Sequence, residues 1–290
     1  MNEEKQIMNK AKHIKMIALD LDRTTLREDG TIPMRTADAL NRAGEQGIQT
    51  VIATGRVLDA LPESLSMLKY VKYYICSNGA AVFRLNGRGS CPELLHEKCL
   101  EPEAVETMTD LVKDAGLMFE SFTGGQAYIG KDYYEKVEKG LIMYRGRDYV
   151  LKTRRPVDDI FGFTIKHRDK IENLNVFFPN QEEKNRFQPL LAAIPDATLT
   201  SSVPSNYELG GKGVSKGAAL RFLMDLEGIS SEELMAAGDS PNDITMLELA
   251  GVSVAVDNAE ESVKQVCSYI VSSNEDAGVG EAVEKFVLGE

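Results

Sequence analysis

The sequence predicts an α/β protein with a Rossmann-like core, built on a parallel sheet, and an inserted α+β domain. Three observations favour this fold class. Short apolar runs alternate with helical patterns in the N-terminal and C-terminal parts of the chain, which is typical of a parallel sheet. The middle of the chain instead mixes strand-like alternation with helical patterns. The 290 residues, 43% of them hydrophobic, are enough for about two domains that each bury a core.

Three strands and a helix are predicted in the N-terminal part of the chain. Residues 16–19 form a short apolar run without polar alternation, which indicates a strand buried on both faces. A helix is predicted over 36–47, where Gly47 is expected to end it. Further strands are predicted over 48–53 and 73–76.

The C-terminal part repeats this pattern. Strands are predicted over 234–237, 252–256 and 269–271. A helix over 215–226 carries an apolar stripe at helical spacing, which we expect to face the sheet. The stripe consists of Ala219, Phe222, Leu223 and Leu226. Another helix is expected to begin at Asn258, because Glu261 follows three residues later as in a capping box.

The segment 87–207 is predicted to be the inserted α+β domain. Its elements are strands over 126–129 and 174–178 and helices over 102–116 and 181–193. The flanking segments, 1–86 and 208–290, are then expected to close one sheet and form the core.

Composition excludes several classes of protein. The 33 Lys+Arg and 45 Asp+Glu give a formal net charge of −12, which argues against a nucleic-acid binder held by phosphate contacts. No apolar run approaches the roughly 20 residues that span a bilayer, and the N-terminal residues lack the apolar stretch of a secretory signal. The four cysteines are scattered, without a CxxC pair, which favours reduced thiols. We therefore expect a cytoplasmic protein without nucleic-acid, membrane or obligate protein partners.

Polar side chains collect where the predicted strands end. They are Asp20 and Asp22, Thr54, Asn78, and Asp239 with Asn242 and Asp243. Ligands of open parallel sheets bind outside the carboxyl ends of the strands. Converging carboxylates repel one another, and Mg²⁺, which favours carboxylate oxygens together with phosphate, relieves this repulsion. Because Lys216 adds a positive charge at a helix start, which itself attracts anions, the pattern predicts a site that holds a phosphate against a metal.

The spacing of Asp20 and Asp22 has a chemical consequence. Side chains two residues apart on an extended chain point the same way. As the strand turns, the first carboxylate can face a phosphorus atom while the second faces the leaving oxygen.

Four motifs in the chain resemble those of the haloacid-dehalogenase-like superfamily, in the same order. They are Asp20-Leu-Asp-Arg-Thr, Thr54-Gly-Arg, Lys216-Gly and Gly238-Asp-Ser-Pro-Asn-Asp. Asn78-Gly79 and the long insertion resemble the Cof-type sugar-phosphate phosphatase branch, whose large cap domain lies between the second and third motifs. Each motif alone is a weak signal, whereas all four in order are a specific one.

The resemblance implies a Mg²⁺-dependent phosphatase that acts on a small phosphorylated metabolite, expected to be a sugar phosphate. Asp20 would be the nucleophile that forms an aspartyl-phosphate, and Asp22 the general acid and then the general base. The implied phosphate- and substrate-binding residues are Leu21, Thr54, Gly55, Asn78, Lys216 and Asn242. The implied metal ligands are Asp20, the backbone carbonyl of Asp22, and Asp239, with Asp243 as a ligand or nearby.

Arg23 departs from the branch, which usually has Gly after the second Asp. If the backbone needs a positive φ at this position, an Arg costs about 1 kcal/mol or more. Its guanidinium could instead reach substrate at the cap interface. Arg23 thus leaves open a catalytically silent phospholigand-binding protein. A phosphomutase-like phosphotransferase also stays open, because related caps serve sugar phosphomutases.

Some residues carry two interpretations. Asp243 could cap the following helix, and Asn78 could be an ordinary turn residue. A basic cluster could grip a second anionic group of the substrate or be a solvated face; it consists of Arg145, Arg147, Lys152, Arg154 and Arg155. Four tyrosines could stack on a sugar or pack in a core; they are Tyr128, Tyr133, Tyr134 and Tyr144.

Overall fold

The computed structural model describes residues 14–87, 91–142 and 146–290. Across these ranges the strands are, in chain order, β1 (Met16–Leu19), β2 (Gln49–Ala53), β3 (Val71–Cys76), β4 (Ala81–Arg84), β5 (Glu93–Glu97), β6 (Met118–Thr123), β7 (Gln126–Gly130), β8 (Arg154–Val157), β9 (Asn173–Phe177), β10 (Ala197–Thr200), β11 (Asn206–Gly211), β12 (Leu234–Gly238), β13 (Val252–Val256) and β14 (Tyr269–Val271).

The α-helices in the same ranges are α1 (Met34–Glu45), α2 (Pro102–Ala115), α3 (Lys131–Glu138), α4 (Arg147–Thr153), α5 (Ile160–Lys166), α6 (Gln181–Ala192), α7 (Lys216–Glu227), α8 (Ile244–Leu247), α9 (Glu261–Val266) and α10 (Gly278–Val283). Among the described residues, none of these helices is both long and apolar enough to cross a membrane.

An eight-stranded sheet joins the two ends of the chain. Its order is β14-β13-β12-β1-β2-β3-β4-β5. The pairs from β14 to β3 are parallel, and the last two pairs are antiparallel. The parallel pairing brings the carboxyl ends of β1, β2, β3 and β12 to one edge. The predicted α/β core is therefore confirmed, and all four side chains of β1 are 0% exposed, as expected for a strand covered on both faces.

Helix α7 shows a buried face different from the predicted one. Leu226, expected to face the sheet, is 52% exposed. The buried side chains of this helix are instead Lys216, Ala219, Leu220, Leu223 and Met224. The burial of Lys216 at the first position fixes the rotation of the helix about its axis, since residues three or four apart share a face. Leu226 therefore lies on the solvent side.

The predicted capping box at Asn258 is wrong. Helix α9 begins at Glu261, and its N-cap makes no side-chain hydrogen bond. The Asn258 amide ties neighbouring loops together instead, because Nδ2 donates to the carbonyl of Arg23 at 2.8 Å and Oδ1 accepts from the N–H of Asn274 at 3.0 Å. Residues 257–259 thus form a turn, closed by the N–H of Ala259 to the carbonyl of Val256 at 2.9 Å, where the sequence pattern predicts a helix.

A six-stranded sheet forms the second unit, in the order β10-β11-β9-β6-β7-β8. The pairs are antiparallel except for β7 with β8. Helix α2 packs on this sheet through a buried face at helical spacing, which includes Val105, Met108, Thr109 and Val112. The two units meet at a small apolar cluster formed by Val57 and Ala60 with Phe122 and Ala127.

The chain does not pass from one sheet to the other at the predicted boundaries, 86/87 and 207/208. Strand β5 pairs with β4 at the edge of the eight-stranded sheet, and β11 belongs wholly to the six-stranded sheet. The pattern missed β5 because this strand is a largely exposed edge strand in an antiparallel hairpin, not a buried parallel run. The division into two domains at those residues stays a prediction.

Candidate active site

Three buried carboxylates meet at the carboxyl edge of the eight-stranded sheet. Asp20 follows β1, while Asp239 and Asp243 follow β12, which pairs with β1 in parallel. Each offers one carboxylate oxygen, and these atoms lie within 4.8 Å of one another. Burial raises the pKa of Asp20 well above its usual range; the charge of Lys216 opposes this shift, and those of Asp243 and Asp239 add to it.

Lys216 supplies positive charge inside this cluster. Its Nζ donates to Oδ1 of Asp20 at 2.6 Å and to Oδ1 of Asp243 at 2.7 Å, with only 1% of the side chain exposed. Burial disfavours the ammonium, but the two carboxylates outweigh this effect and raise the pKa of Lys216. The Oγ of Ser215 accepts from the N–H of Ala218 at 3.0 Å and so fixes the start of α7 beside the strands.

Asp243 holds the loop after β12 together. Its Oδ2 accepts from the N–H groups of Asp239 at 3.0 Å and Ser240 at 3.1 Å. It forms a capping box with Ser240 around 241–243, the turn that leads into α8, but as the N-cap of α8 it makes no side-chain hydrogen bond, so the cap lies one turn before the helix for which it was predicted. The contact is tight, because a Cβ added to Gly238 would lie 2.6 Å from the Cβ of Asp243.

Asp239 is held by two hydroxyls and a guanidinium. Thr24 Oγ1 donates to Oδ1 at 3.1 Å, and Ser240 Oγ donates to Oδ2 at 3.0 Å. The Nη1 of Arg23 lies 3.3 Å from Oδ2. Burial and the charge of Asp243 raise the pKa of Asp239 to about 6, although Arg23 lowers it. The ionised carboxylate is therefore destabilised here, and an additional cation would stabilise it.

Arg23 adopts the backbone conformation that normally favours glycine, with φ +62°. Its side chain does not extend to the six-stranded unit, because Nη2 donates to the carbonyl of Asn258 at 3.2 Å and Nη1 contacts Asp239. The positive φ considered for this position is thus observed. The guanidinium occupies a place beside the carboxylate cluster and not one at the interface with the inserted unit.

Asp22 forms a two-pronged ion pair with Arg56, which lies after β2. Nε of Arg56 donates to Oδ2 of Asp22 at 2.9 Å, and Nη2 donates to Oδ1 at 2.5 Å. Nη1 donates to the carbonyl of Ala60 at 3.0 Å. The Asp22 side chain is 48% exposed and that of Arg56 only 10%. Arg56 belongs to the Thr54-Gly55-Arg56 motif, but sequence reasoning assigned it no role.

The predicted groups after β2 and β3 are linked by hydrogen bonds. Thr54 Oγ1 accepts from the N–H of Arg56 at 3.1 Å, and Asn242 Nδ2 donates to Asn78 Oδ1 at 3.0 Å. Asn78 itself lies in the left-handed region, with φ +56°. A Cβ added to Gly55 would come within 3.1 Å of Asn78 Oδ1, so the backbone passes closely here. These contacts form one layer of polar groups at the carboxyl edge of the eight-stranded sheet, made of Thr54, Gly55, Asn78 and Asn242.

Glu208 of β11 reaches this layer from the six-stranded unit and was missed by the sequence analysis. Its buried carboxylate accepts from Asn78 Nδ2, from Ser202 Oγ at 2.8 Å and from Asn206 Nδ2 at 3.1 Å. No local pattern signals this residue, because it acts through a contact between distant segments. The two units are therefore joined by a buried polar contact directly beside the site.

A cavity of about 50 Å³ lies between the two units. Its walls on the side of the eight-stranded sheet are Asp20, Asp22, Gly55, Arg56, Asp239, Ser240 and Asn242. Ser202 and Val203 of the six-stranded unit form the opposite wall. Four predicted site residues are buried and do not line the cavity; they are Thr54, Asn78, Lys216 and Asp243. The side chain of Leu21 packs in the apolar core of the eight-stranded sheet, and its predicted role at the phosphate stays a prediction.

Comparison with known proteins identifies the family. The model for haloacid dehalogenase-like hydrolases matches residues 17–283. The chain belongs to this family. The 5-amino-6-(5-phospho-D-ribitylamino)uracil phosphatase YcsE of Bacillus subtilis is 30% identical over 277 residues, which cover 95% of this chain and 96% of that protein. Phosphatase YwpJ of the same organism is 29% identical over 286 residues, covering 92% and 97%.

Solved structures of haloacid dehalogenase-like proteins share the whole fold. The subclass IIB sugar phosphatase BT4131 superposes with a TM-score of 0.79 at 26% identity, covering 94% of this chain and 98% of that one. A haloacid dehalogenase-like hydrolase from B. subtilis gives a TM-score of 0.80 at 25% identity, covering 94% and 100%. The resemblance stated from the four motifs is confirmed, and so is the enzyme class, a phosphoric monoester hydrolase.

The basic cluster in this haloacid dehalogenase-like hydrolase is engaged in protein contacts. Arg154 forms a buried pair with Glu120 at 2.8 Å. The other contacts are Arg155 with Asp59, Lys152 with Glu63, and Arg147 with the carbonyl of Glu138. Arg145 lies outside the described residues. These side chains hold the inserted unit together or dock it on the core, which favours a structural interpretation over an anion site.

The tyrosines proposed for sugar stacking also have protein partners. Tyr128 donates to Gln126 at 2.7 Å, Tyr133 to the carbonyl of Gly116 at 3.1 Å, and Tyr134 to the carbonyl of Leu151 at 3.1 Å. Tyr144 lies outside the described residues. The three described side chains do not line the cavity beside Asp20. The packing interpretation is therefore favoured for them.

Proposed function

We propose that the protein is a Mg²⁺-dependent phosphatase that hydrolyses a small sugar phosphate through an aspartyl-phosphate on Asp20. The observation that carries this proposal is the position of Asp20 on the cavity wall, beside Asp22 and bonded to the buried Lys216. A nucleophilic carboxylate, a second carboxylate for proton transfer and a fixed positive charge are the groups that phosphoryl transfer requires.

The proposed reaction has two steps. A carboxylate oxygen of Asp20 attacks phosphorus, the bond from phosphorus to the leaving oxygen breaks, and Asp22 gives its proton to that oxygen. Water then attacks the phosphorus of the aspartyl-phosphate, Asp22 takes a proton from this water, and the Asp20 carboxylate leaves. Lys216 favours the ionised, nucleophilic form of Asp20, because its charge opposes part of the effect of burial on the pKa of Asp20.

The carboxylate cluster fits a hard divalent cation, since buried carboxylate oxygens of Asp20, Asp239 and Asp243 lie within 4.8 Å of one another and a cation offsets their charges. Family phosphatases of this kind generally use a divalent metal, and we assign Mg²⁺. Asp20 and Asp239 would hold it, with the backbone carbonyl of Asp22. Asp243 would not bind the cation directly, because Lys216 and two backbone N–H groups already occupy its oxygens. It would instead hold Lys216 and the loop after β12 in place. When bound, the cation supplies neutralisation of the charge on the phosphoryl oxygens.

The six-stranded unit, expected over 87–207, is proposed as the cap that selects the substrate. Ser202 and Val203 close the cavity from this side, so the leaving group must pass or contact them. Two relatives named as phosphatases of a phosphoribityl compound and of sugars support a sugar phosphate. A cytoplasmic location and the lack of nucleic-acid or membrane partners stay predictions.

The proposal is tested by phosphate release from p-nitrophenyl phosphate with and without Mg²⁺, with Asp20→Asn as the control. We expect turnover that needs both the cation and Asp20. A panel of sugar phosphates then identifies the substrate, and coupled assays for an isomerised sugar phosphate separate a phosphomutase from a phosphatase. A folded wild-type protein that binds phosphate analogues by calorimetry but hydrolyses nothing in the panel would overturn the proposal.

A further inference from the structure

The ion pair of Asp22 with Arg56 is covered by a residue of the inserted unit. The ring of Tyr149 in α4 lies 4.7 Å from Cζ of Arg56, within the range of a cation–π contact. All three guanidinium nitrogens of Arg56 are already engaged, two with Asp22 and one with the carbonyl of Ala60. Tyr149 therefore covers the face of a guanidinium whose edges are fixed.

Tyr149 is itself held by a second guanidinium. Cζ of Arg154 lies 4.9 Å from the centre of the same ring. Arg154 is locked by two hydrogen bonds to Glu120, at 2.8 and 3.1 Å, and both side chains are almost wholly buried, at 2% and 0% exposure. The tyrosine ring thus lies between Arg56, which follows β2 of the eight-stranded sheet, and Arg154 of the inserted unit.

A continuous chain of contacts results, from the buried Glu120 through Arg154, Tyr149 and Arg56 to Asp22. The inner end is rigid because it is buried and paired, whereas the outer end is a half-exposed carboxylate at the cavity. Two neighbours of Arg154 also bind the segment between β2 and β3 of the eight-stranded sheet. Lys152 pairs with Glu63 and Arg155 pairs with Asp59, and these ion pairs hold the inserted unit on that segment.

We propose that Tyr149 is a positioning residue through which the inserted unit orients the general acid Asp22 by way of Arg56. This rests on the proposed function, because it needs Asp22 as the proton donor. With the ring in place, Arg56 is confined, and a bond from Arg56 to one oxygen of Asp22 fixes the direction of the carboxyl group while the other oxygen carries the proton. Without the ring, one face of the guanidinium is open to water and Arg56 gains rotamers, so the direction of the Asp22 carboxylate is less fixed.

The choice of leaving group separates this role from simple loss of structure. An alkyl phosphate needs a proton on its leaving oxygen, whereas p-nitrophenolate leaves without one. The ratio kcat/KM reports the steps up to release of the leaving group. General acid catalysis typically raises the rate by about 10²–10⁴-fold. A misdirected Asp22 can therefore lower kcat/KM strongly for the alkyl phosphate and leave that for p-nitrophenyl phosphate nearly unchanged.

The experiment compares Tyr149→Ala and Tyr149→Phe with wild type, on p-nitrophenyl phosphate and on the best alkyl phosphate of the panel. Tyr149→Ala is expected to lower kcat/KM on the alkyl phosphate by about tenfold or more and on p-nitrophenyl phosphate by less than about threefold. Tyr149→Phe keeps the ring and is expected to restore the alkyl activity. Tyr133→Ala serves as the matched control, since this half-buried tyrosine bonds only within the inserted unit in the contacts described.

Equal losses on both substrates, or a failure of Tyr149→Phe to restore activity, would overturn the positioning role, because a loosened unit affects both substrates alike. Circular dichroism and thermal denaturation of each variant check that it is folded. If wild type hydrolyses neither substrate, the proposed function itself fails, and this outcome is distinct from unequal or equal losses in the variants.

Discussion

Asp239→Asn is expected to stabilise the metal-free protein at pH 8 while it weakens Mg²⁺ binding. Asp239 is 1% exposed, and burial raises its pKa from 3.8 to about 6. A shift of about two units corresponds to roughly 3 kcal/mol that the ionised form costs the folded state, at about 1.4 kcal/mol per unit. A neutral amide avoids this cost.

Other contacts reduce the gain. The pKa of about 6 already includes the charge of Arg23, but the NH2 group of Asn cannot accept, so one hydroxyl hydrogen bond worth about 1 kcal/mol is lost. We therefore expect Asp239→Asn to raise the free energy of unfolding by about 1–2 kcal/mol at pH 8 in EDTA.

The pH dependence follows from the direction of the shift. Because the folded state binds the Asp239 proton more tightly than the unfolded chain, its contribution in wild type improves as the pH falls from about 6 towards 4. The advantage of the variant should then shrink in this window and disappear below it.

The assay is urea denaturation of both proteins at pH 8, 6 and 4, in EDTA and in Mg²⁺. Mg²⁺ should stabilise wild type at pH 8, since a ligand that binds only the folded state adds to its stability, and it should stabilise the variant far less. A variant that is less stable than wild type in EDTA at pH 8, or equal stabilisation of both proteins by Mg²⁺, would refute the reasoning.

Three further predictions concern single substitutions. Lys216→Met should lower kcat by about 10²–10³-fold and the free energy of unfolding by about 3–5 kcal/mol, measured by steady-state kinetics and urea denaturation, because two buried carboxylates lose their cation. Arg23→Gly should lower the Kd for Mg²⁺ up to about fivefold by calorimetry, since it removes a competing charge from Asp239. Gly79→Ala should lower the Tm markedly, because φ is +104° and the added Cβ would lie 2.2 Å from a backbone oxygen; an unchanged Kd or Tm would contradict the respective account.

The strand ends could be predicted from the sequence because burial on both faces leaves a strong local signal. Strand β1 was predicted with its observed ends, and the carboxylates that follow β1 and β12 meet as expected. This holds since parallel pairing brings the carboxyl ends of strands together whatever their distance in the sequence. The fold and the acidic centre of the site were therefore accessible without a structure.

The polar contacts between distant segments of the chain could not be predicted. Arg56 pairs with Asp22, and Glu208 bonds to Asn78, through side chains separated by 34 and 130 positions. Hydrophobic periodicity reports which face of an element is buried but not which polar side chain meets which. The prediction that Leu226 faces the sheet was wrong for a related reason. The burial of Lys216 in the site sets the rotation of the helix, and hydrophobic periodicity does not report it.

The central claim is that Asp20 carries the phosphoryl group, and trapping of the aspartyl-phosphate tests it most directly. Wild-type enzyme turning over substrate is quenched in acid and reduced with borohydride, which converts an aspartyl-phosphate to homoserine, and the peptide containing residue 20 is sequenced by mass spectrometry. The account predicts homoserine at position 20 in the presence of substrate and Mg²⁺, and none in Asp20→Asn. Turnover with unmodified Asp20 throughout, or homoserine at another aspartate, would contradict it.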